Sequence, residues 1–300
     1  MTEQQQKQSI KSKLVIGLIK LLASLPLAVS CALLRPFVWL QQIVPNRSKD
    51  VIDLNLAYCG FSKDLPIARK IRNACMRYSA NLIAETSYIW LHDYQDNRKL
   101  LHKIHGEEAF KEALNKPNGT LIISPHLGNW ELGYSYISNN YQSAGLYKPP
   151  QIKELEPIML AGRGGEVLRT SAMEVRKMLK LLKQGGSLFL LPDQTPPEGS
   201  GVFAPFFDQP AYTMTLLHGL AKKTGADIWM GVCVKVNGKY ELSLYPLDLD
   251  AGMDADAFNI DLNRMVEEVI SLTPEQYQWS YKRFKRTPDG STSIYDRNGE

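Results

Sequence analysis

From Lys116 onward the chain alternates short apolar runs with amphipathic stretches, and that alternation leaves few architectures open to it. Residues 120–124, 187–191 and 227–236 are runs of strand length, and the first two are apolar almost throughout, as strands covered on both faces are. Between and after them, residues 171–183 and 213–224 carry helical periodicity, and a last helix is expected over 256–272. Strands that alternate with helices give an α/β fold: a mostly parallel central sheet flanked by helices. Asn237-Gly238 stands between two β-like runs, 232–236 and 240–245, the signal of a tight hairpin, so one edge of the sheet is expected to be antiparallel.

Ahead of the sheet the pattern changes. Ile71, Cys75, Tyr78, Leu82 and Ile83 recur at helical spacing, so 46–115 reads as a helical lead-in. Earlier still, a polar, Gln-rich head with Lys7, Lys11 and Lys13 is followed by an apolar segment over 14–44. Lys20 and Arg35 interrupt that segment, leaving an uncharged run over 21–34, shorter than the roughly 20 residues that span a bilayer unless the charges snorkel. Three readings remain: a membrane-spanning anchor, a helix lying in the interface, and an amphipathic helix buried in the fold. Arg35, Phe37 and Trp39 stand where a cleaved signal peptide would need small residues. The expected organisation is a membrane anchor or interfacial helix over 1–45, an α/β domain over 46–290 and a polar tail over 291–300. Within the domain, the core sheet takes 116–250 and a C-terminal helix with a basic segment takes 251–290.

With 44 % hydrophobic residues in 300, the chain can bury one large core. A net charge of +4 suits an anionic surface and is too small to argue for nucleic acid. Cys31, Cys59, Cys75 and Cys233 show no paired or regular spacing, read as reduced packing residues, and favour a cytoplasmic setting. His92, His102 and His105 lack acidic or cysteine neighbours at metal-ligand spacing. No metal or cofactor is expected. Neither a nucleotide-binding Gly-rich loop with Lys-Ser or Lys-Thr nor a Gly-x-Ser-x-Gly elbow is present.

The stretch that carries chemistry is Ser124-Pro-His-Leu-Gly-Asn-Trp-Glu-Leu132, directly after the first core strand and opening a helix. It puts His126 at a strand's carboxyl end, where open α/β sheets bind ligands, and near a helix start, which favours the neutral imidazole a general base needs. Glu131 stands five residues on. In a continuous helix five residues turn through about 140°, so the two face apart unless His126 lies just outside the helix. Pro125, Gly128 and Asn129 favour that arrangement, and Glu131 is then expected to reach back to one imidazole nitrogen while the other takes a proton from a hydroxyl. A histidine at a helix start with a first-turn Glu satisfied by the helix dipole is the plain structural alternative, and spacing alone does not choose between them.

The same segment, with further blocks, resembles the late acyltransferases of lipid A biosynthesis, a family within the glycerolipid acyltransferases. Leu190-Leu-Pro-Asp-Gln194, Val202-Phe-Ala-Pro-Phe-Phe207 with Pro210-Ala211, and Pro274-Glu-Gln-Tyr277 with Trp279 and Lys282-Arg-Phe-Lys285 match its other blocks, so that the resemblance runs to about Pro288. It implies that His126 and Glu131 are the catalytic pair, that acyl carrier protein is the acyl donor, that a hydroxyl of a lipid A precursor is the acceptor, and that the work is done at the cytoplasmic face of the inner membrane. Arg163, in Ala161-Gly-Arg-Gly-Gly165, matches an arginine that engages substrate, and its glycines would let a phosphate approach. Lys148 stands where the family has an arginine before proline, which keeps the charge and loses the fork. Asp193, after a core strand, is expected at the same sheet edge as His126, positioning the acceptor or binding an arginine, and Asn129 and Gln194 are further substrate-binding candidates. Arg169 and Arg176 read as surface charges of a helix. Phe203, Phe206 and Phe207 can line an acyl tunnel or fill the core. Trp279, Lys282, Arg283, Lys285 and Arg286 read as a patch facing headgroups or an acidic carrier, or as a solvated basic helix end. A monomer is expected. The alternatives to acyl transfer onto a lipid A precursor are transfer to another lipid or glycolipid acceptor and a non-catalytic lipid-binding protein of the same fold.

Overall fold

A computed structural model describes residues 3–61, 65–169 and 171–296. The first two residues of the Gln-rich head, the side chains of Lys7 and Lys11, and the last four residues of the polar tail lie outside what is described. Among the described residues the central sheet has seven strands in the order β1-β9-β8-β2-β5-β3-β4. These are β1 (Leu101–His105), β2 (Thr120–Ile123), β3 (Ser143–Leu146), β4 (Glu166–Leu168), β5 (Ser187–Leu190), β8 (Asp227–Val236) and β9 (Lys239–Pro246). Every neighbouring pair is parallel except β8 and β9.

Period-two alternation explains why β2 and β5 are apolar almost without a break. Leu121 and Ile123 of β2, with Leu188 and Leu190 of β5, pack on one side of the sheet; Ile122 and Phe189 pack on the other. The first side is covered by α9 (Ala172–Lys183), α10 (Leu216–Thr224) and α11 (Ala255–Leu272) through Met178, Leu182, Leu217 and Phe258. The second is covered by α6 (Glu107–Leu114) and α7 (Trp130–Asn140) and by the end of α4 (Leu65–Leu91), through Phe110, Leu132, Ile137 and Ile89. Ser171 caps α9 and Asn129 caps α7, each by accepting a backbone N–H with its side chain.

Three expectations are corrected. The lead-in is not all helical: Leu101–His105 is a strand, held parallel to β9 at the sheet's edge and too polar to read as one. The Asn237-Gly238 hairpin forms, with both residues at positive φ, yet β1 lies outside it, so the antiparallel pair is not the edge. Thr213 belongs not to a helix but to β7 (Gln209–Met214), which pairs with β6 (Gly201–Phe206) in a separate two-stranded ribbon.

The amino-terminal segment forms α1 (Glu3–Ser24) and α2 (Leu27–Ile43), broken at Pro26, followed by α3 (Arg47–Tyr58). Ile19, Leu22 and Ala23 are buried, and α1 and α2 both pack on α4. Ile10, Leu14, Leu18 and Leu21 on α1, and Val29, Leu33, Phe37 and Leu40 on α2, are exposed at helical spacing. Among the described residues no single helix is long and apolar enough to cross a membrane; α2 and α3 together meet that test but are bent by 68°.

Candidate active site

Adjacent parallel strands β2 and β5 end at the same edge, and each runs into an X-Pro step followed by a polar residue: Ser124-Pro-His126 and Leu191-Pro-Asp193. The two loops meet. Asp193, fully buried, holds His126 twice: one carboxylate oxygen accepts the His126 backbone N–H at 2.8 Å, and the other lies 2.7 Å from ring Nδ1. Because a carboxylate only accepts, the ring proton sits on Nδ1. The Gln194 amide nitrogen lies 3.0 Å from Nε2 and 3.4 Å from Gln278 Oε1, so Nε2 presents its lone pair. Burial pushes the Asp193 carboxyl up, but the imidazole, its two hydrogen bonds and the buried Arg283 outweigh that and hold it below the ordinary carboxylate range.

The turn that carries His126 is fixed from both sides. The His126 carbonyl accepts the Gln278 N–H at 3.0 Å, the Gly128 N–H donates to Gln276 at 3.0 Å, and the Asn129 N–H donates to Cys233 at 2.7 Å. Only glycine fits at 128: φ is +64°, and a Cβ there would lie 2.0 Å from the Cys233 carbonyl oxygen. Trp130 then sets its ring edge-on to the imidazole, with centroids 4.9 Å apart.

Contrary to the expectation from sequence, Glu131 does not reach back to His126. It lies in the first turn of α7, where its carboxylate accepts both Nε and a terminal nitrogen of Arg163, with Nε at 2.9 Å, and the Trp90 indole N–H at 3.2 Å. The carboxylate on the imidazole is Asp193, because β5 runs beside β2 and delivers it there. Arg163 ends α8 (Glu156–Arg163), which approaches α4 so closely that a Cβ at Gly162 would sit 2.2 Å from the Trp90 Cα. Burial disfavours the guanidinium's charge, and Glu131 outweighs that and raises its pKa. Glu131, Arg163, Trp130, Tyr134, Phe189 and Leu191 line one small pocket of about 20 Å³, near the volume of one water.

Other candidate residues fall elsewhere. Asn129 is wholly buried with its amide engaged at both ends, capping α7 and donating to Glu85, so it faces no ligand. Lys148 is exposed on the chain after β3. Arg169 follows β4 rather than lying on a helix, and pairs with Glu156 at 2.6 Å, while Arg176 is an exposed residue of α9. Phe206 is core, and Phe207 packs on Trp279. The basic C-terminal patch is corrected in part: Trp279 and Arg283 are buried, with Arg283 donating to the Tyr212 carbonyl and Thr213 hydroxyl, whereas Lys285 is exposed. Sequence reasoning missed the strap over 276–283, which supports both site loops, and it assigned Asp193 to substrate rather than to His126. The repeated strand-Pro-polar pattern was the signal for the second.

With this geometry in view, similarity to known proteins is decisive. The model of the bacterial lipid A biosynthesis acyltransferase family matches residues 3–286. The chain belongs to that family. Lipid A biosynthesis acyltransferases similar to it include the lauroyltransferase of Escherichia coli (strain K12), 28 % identical over 71 % of each chain. The palmitoleoyltransferase of the same organism is 25 % identical over 93 % of this chain and 92 % of its own. A lipid A biosynthesis acyltransferase of Haemophilus influenzae is 27 % identical over 71 % of this chain and 70 % of its own. As a lipid A acyltransferase the protein is an enzyme of acyl transfer, and the alternative of a non-catalytic lipid-binding protein falls away.

Proposed function

We propose that this acyltransferase moves a fatty acyl group from the thioester of acyl carrier protein to a hydroxyl of a lipid A precursor, with His126 as general base. The observation that carries this reading is the buried Asp193 carboxylate on Nδ1, which leaves Nε2 as a proton acceptor at the carboxyl edge of the sheet. The acceptor hydroxyl takes the place of the Gln194 amide beside Nε2. Its proton passes to Nε2 as its oxygen attacks the thioester carbonyl; the carbonyl π electrons move onto oxygen, then return as the C–S bond breaks and the thiolate leaves. Asp193 stabilises the imidazolium formed on the way, and that proton then goes to the thiolate. A thiolate is a good leaving group, so positioning and charge stabilisation are the main requirements.

In this reading Glu131 is a positioning residue, acting through Arg163. It holds the guanidinium in a fork beside the pocket, so that the terminal nitrogen Glu131 leaves free is positioned to donate to an oxygen of the acceptor. Asp193 and Gln194 serve the substrate through His126, by setting its tautomer and by yielding the hydroxyl's place. The exposed apolar stripe of α1 and α2, with exposed Trp39, Lys20 and Arg35 beside it, supports seating on the cytoplasmic face of the inner membrane, with the helices lying in the interface.

The test is acyl transfer from labelled acyl-acyl carrier protein to purified lipid A precursors by the full chain in mixed micelles. Transfer is expected, with His126→Ala lowering turnover roughly a hundred- to ten-thousand-fold while the fold is kept. A folded His126→Ala enzyme that works at the wild-type rate would remove histidine from the mechanism.

A further inference from the structure

Glu85 takes no part in the chemistry described above, yet its surroundings are unusual. It lies on α4 with 1 % of its surface exposed. Three donors converge on its carboxylate: Lys235 Nζ on Oε1 at 2.5 Å, and on Oε2 the Tyr240 hydroxyl and the Asn129 amide nitrogen, the latter at 3.2 Å. The Tyr78 hydroxyl lies 3.0 Å from that of Tyr240 and extends the network. Burying a carboxylate with an ammonium gains little over well-packed apolar side chains, so the cluster makes most sense through the geometry it imposes.

That geometry concerns Asn129. An asparagine amide can sit either way round, and only one way leaves its oxygen towards the open N–H groups of α7. Glu85 accepts and cannot donate, so it draws the Asn129 nitrogen towards α4 and leaves Oδ1 to accept the Leu132 N–H at 3.0 Å. The residue whose amide is thus oriented joins the His126 turn to the first turn of α7, with Trp130 against the imidazole and Glu131 on Arg163. The same helix α4 reaches the far end of this segment through Trp90, whose indole donates to Glu131. It therefore backs the segment at two points, Glu85 at Asn129 and Trp90 at Glu131.

We propose that Glu85, balanced by Lys235 and Tyr240, is a positioning residue for the acyl transfer: it orients the Asn129 amide and so holds the His126-to-Glu131 segment in its reactive geometry. This rests on the reading of His126 as the base. The measurement is kcat, KM and thermal midpoint of the full chain with labelled acyl-acyl carrier protein and lipid A precursor.

In Glu85→Leu with Lys235→Met, an apolar pair replaces the charges and nothing accepts the Asn129 amide. Such a chain is expected to keep its thermal midpoint within a few degrees, while kcat falls about 10- to 100-fold and KM changes less than about threefold. Glu85→Gln with Lys235→Met restores an acceptor without the charges, and its kcat is expected to return to within about fivefold of wild type. Asn129→Ser keeps a capping oxygen and, being shorter, withdraws the amide nitrogen that donates to Glu85. It should lower kcat similarly, and adding it to the Leu/Met pair should cause little further loss, because both act through one contact. If the Leu/Met chain does not fold, Asn129→Ser and the Gln/Met chain carry the test between them. Wild-type kcat in folded Leu/Met or Asn129→Ser chains would overturn the proposal, as would a kcat loss that follows the thermal midpoint and is not recovered by Gln/Met. His126→Ala in the same assay separates the two claims: full turnover there removes the base, whereas an inactive His126→Ala beside fully active Glu85 variants removes only the positioning role.

Discussion

Gly128→Ala is the smallest change that probes how rigidly the turn carrying His126 is held. Glycine sits at φ +64°, where an alanine costs about 1–2 kcal/mol. The larger effect is steric. The new Cβ would lie 2.0 Å from the Cys233 carbonyl oxygen and 2.8 Å from its carbon, both backbone atoms of β8 that no rotamer change can move. Restoring the 3.4 Å of ordinary contact requires a shift of about 1.4 Å, and the turn, not the sheet, has to give. The turn's partners oppose that shift, since the Gly128 and Asn129 N–H groups and the His126 carbonyl are all bonded to the flanking chain. A displacement near 1 Å in a reacting group costs on the order of 100-fold in rate. Gly128→Ala is therefore expected to lower kcat by about 100-fold or more, with a fall of several degrees in thermal midpoint. The assay is transfer of labelled acyl groups under saturating donor and acceptor, with circular dichroism to follow unfolding. An alanine variant within twofold of wild-type kcat would refute the claim that this turn's position sets the rate.

Other perturbations probe separate parts of the site. Arg163→Lys keeps the charge and loses the fork on Glu131; kcat/KM should fall roughly 10- to 100-fold, and Glu131→Gln should weaken the same step, so the double variant should be clearly less than additive in a kinetic double-mutant cycle. Asp193 is held below the ordinary carboxylate range, so its contribution to stability is present above about pH 4 and is lost as pH falls through its folded value; the stability of Asp193→Asn, followed by urea unfolding, should therefore fall less steeply than wild type below about pH 4. Leu33→Asp with Phe37→Asp charges the exposed stripe of α2 and should shift the protein from pelleted anionic vesicles to the supernatant, with solution-phase folding unchanged by circular dichroism.

How much of this was legible in the sequence follows from local physics. β2 and β5 could be read because strands buried on both faces are apolar almost throughout, β8 because its buried middle is an apolar run of strand length, and the β8–β9 hairpin because Asn237-Gly238 supplies the positive φ its turn requires. β1 was hidden because Leu-His-Lys-Ile-His lies at an edge that tolerates charge, β3 because Ser-Ala-Gly-Leu is too small and weak a pattern, and β4 because it is three residues long. The β6–β7 turn puts Phe207 and Asp208, rather than glycines, at positive φ and so gives no turn signal. In the site, His126 was legible from its place after β2 and the cap at Asn129 from its residue type. The pairing of His126 with Asp193 was not, because it depends on which strand lies beside β2, a matter of topology that no local window contains. The glutamate five residues on was the nearer candidate in sequence and the wrong one in space.

The most direct measurement is the turnover of Asp193→Asn, which keeps the shape of the side chain but offers the imidazole an amide in place of an anion. With His126 as a base whose tautomer and cationic form depend on that carboxylate, kcat should fall about 100- to 10,000-fold in a chain that folds as wild type does. A folded Asp193→Asn enzyme within about threefold of wild-type kcat would contradict the account, since the carboxylate on Nδ1 would then have no part in the reaction.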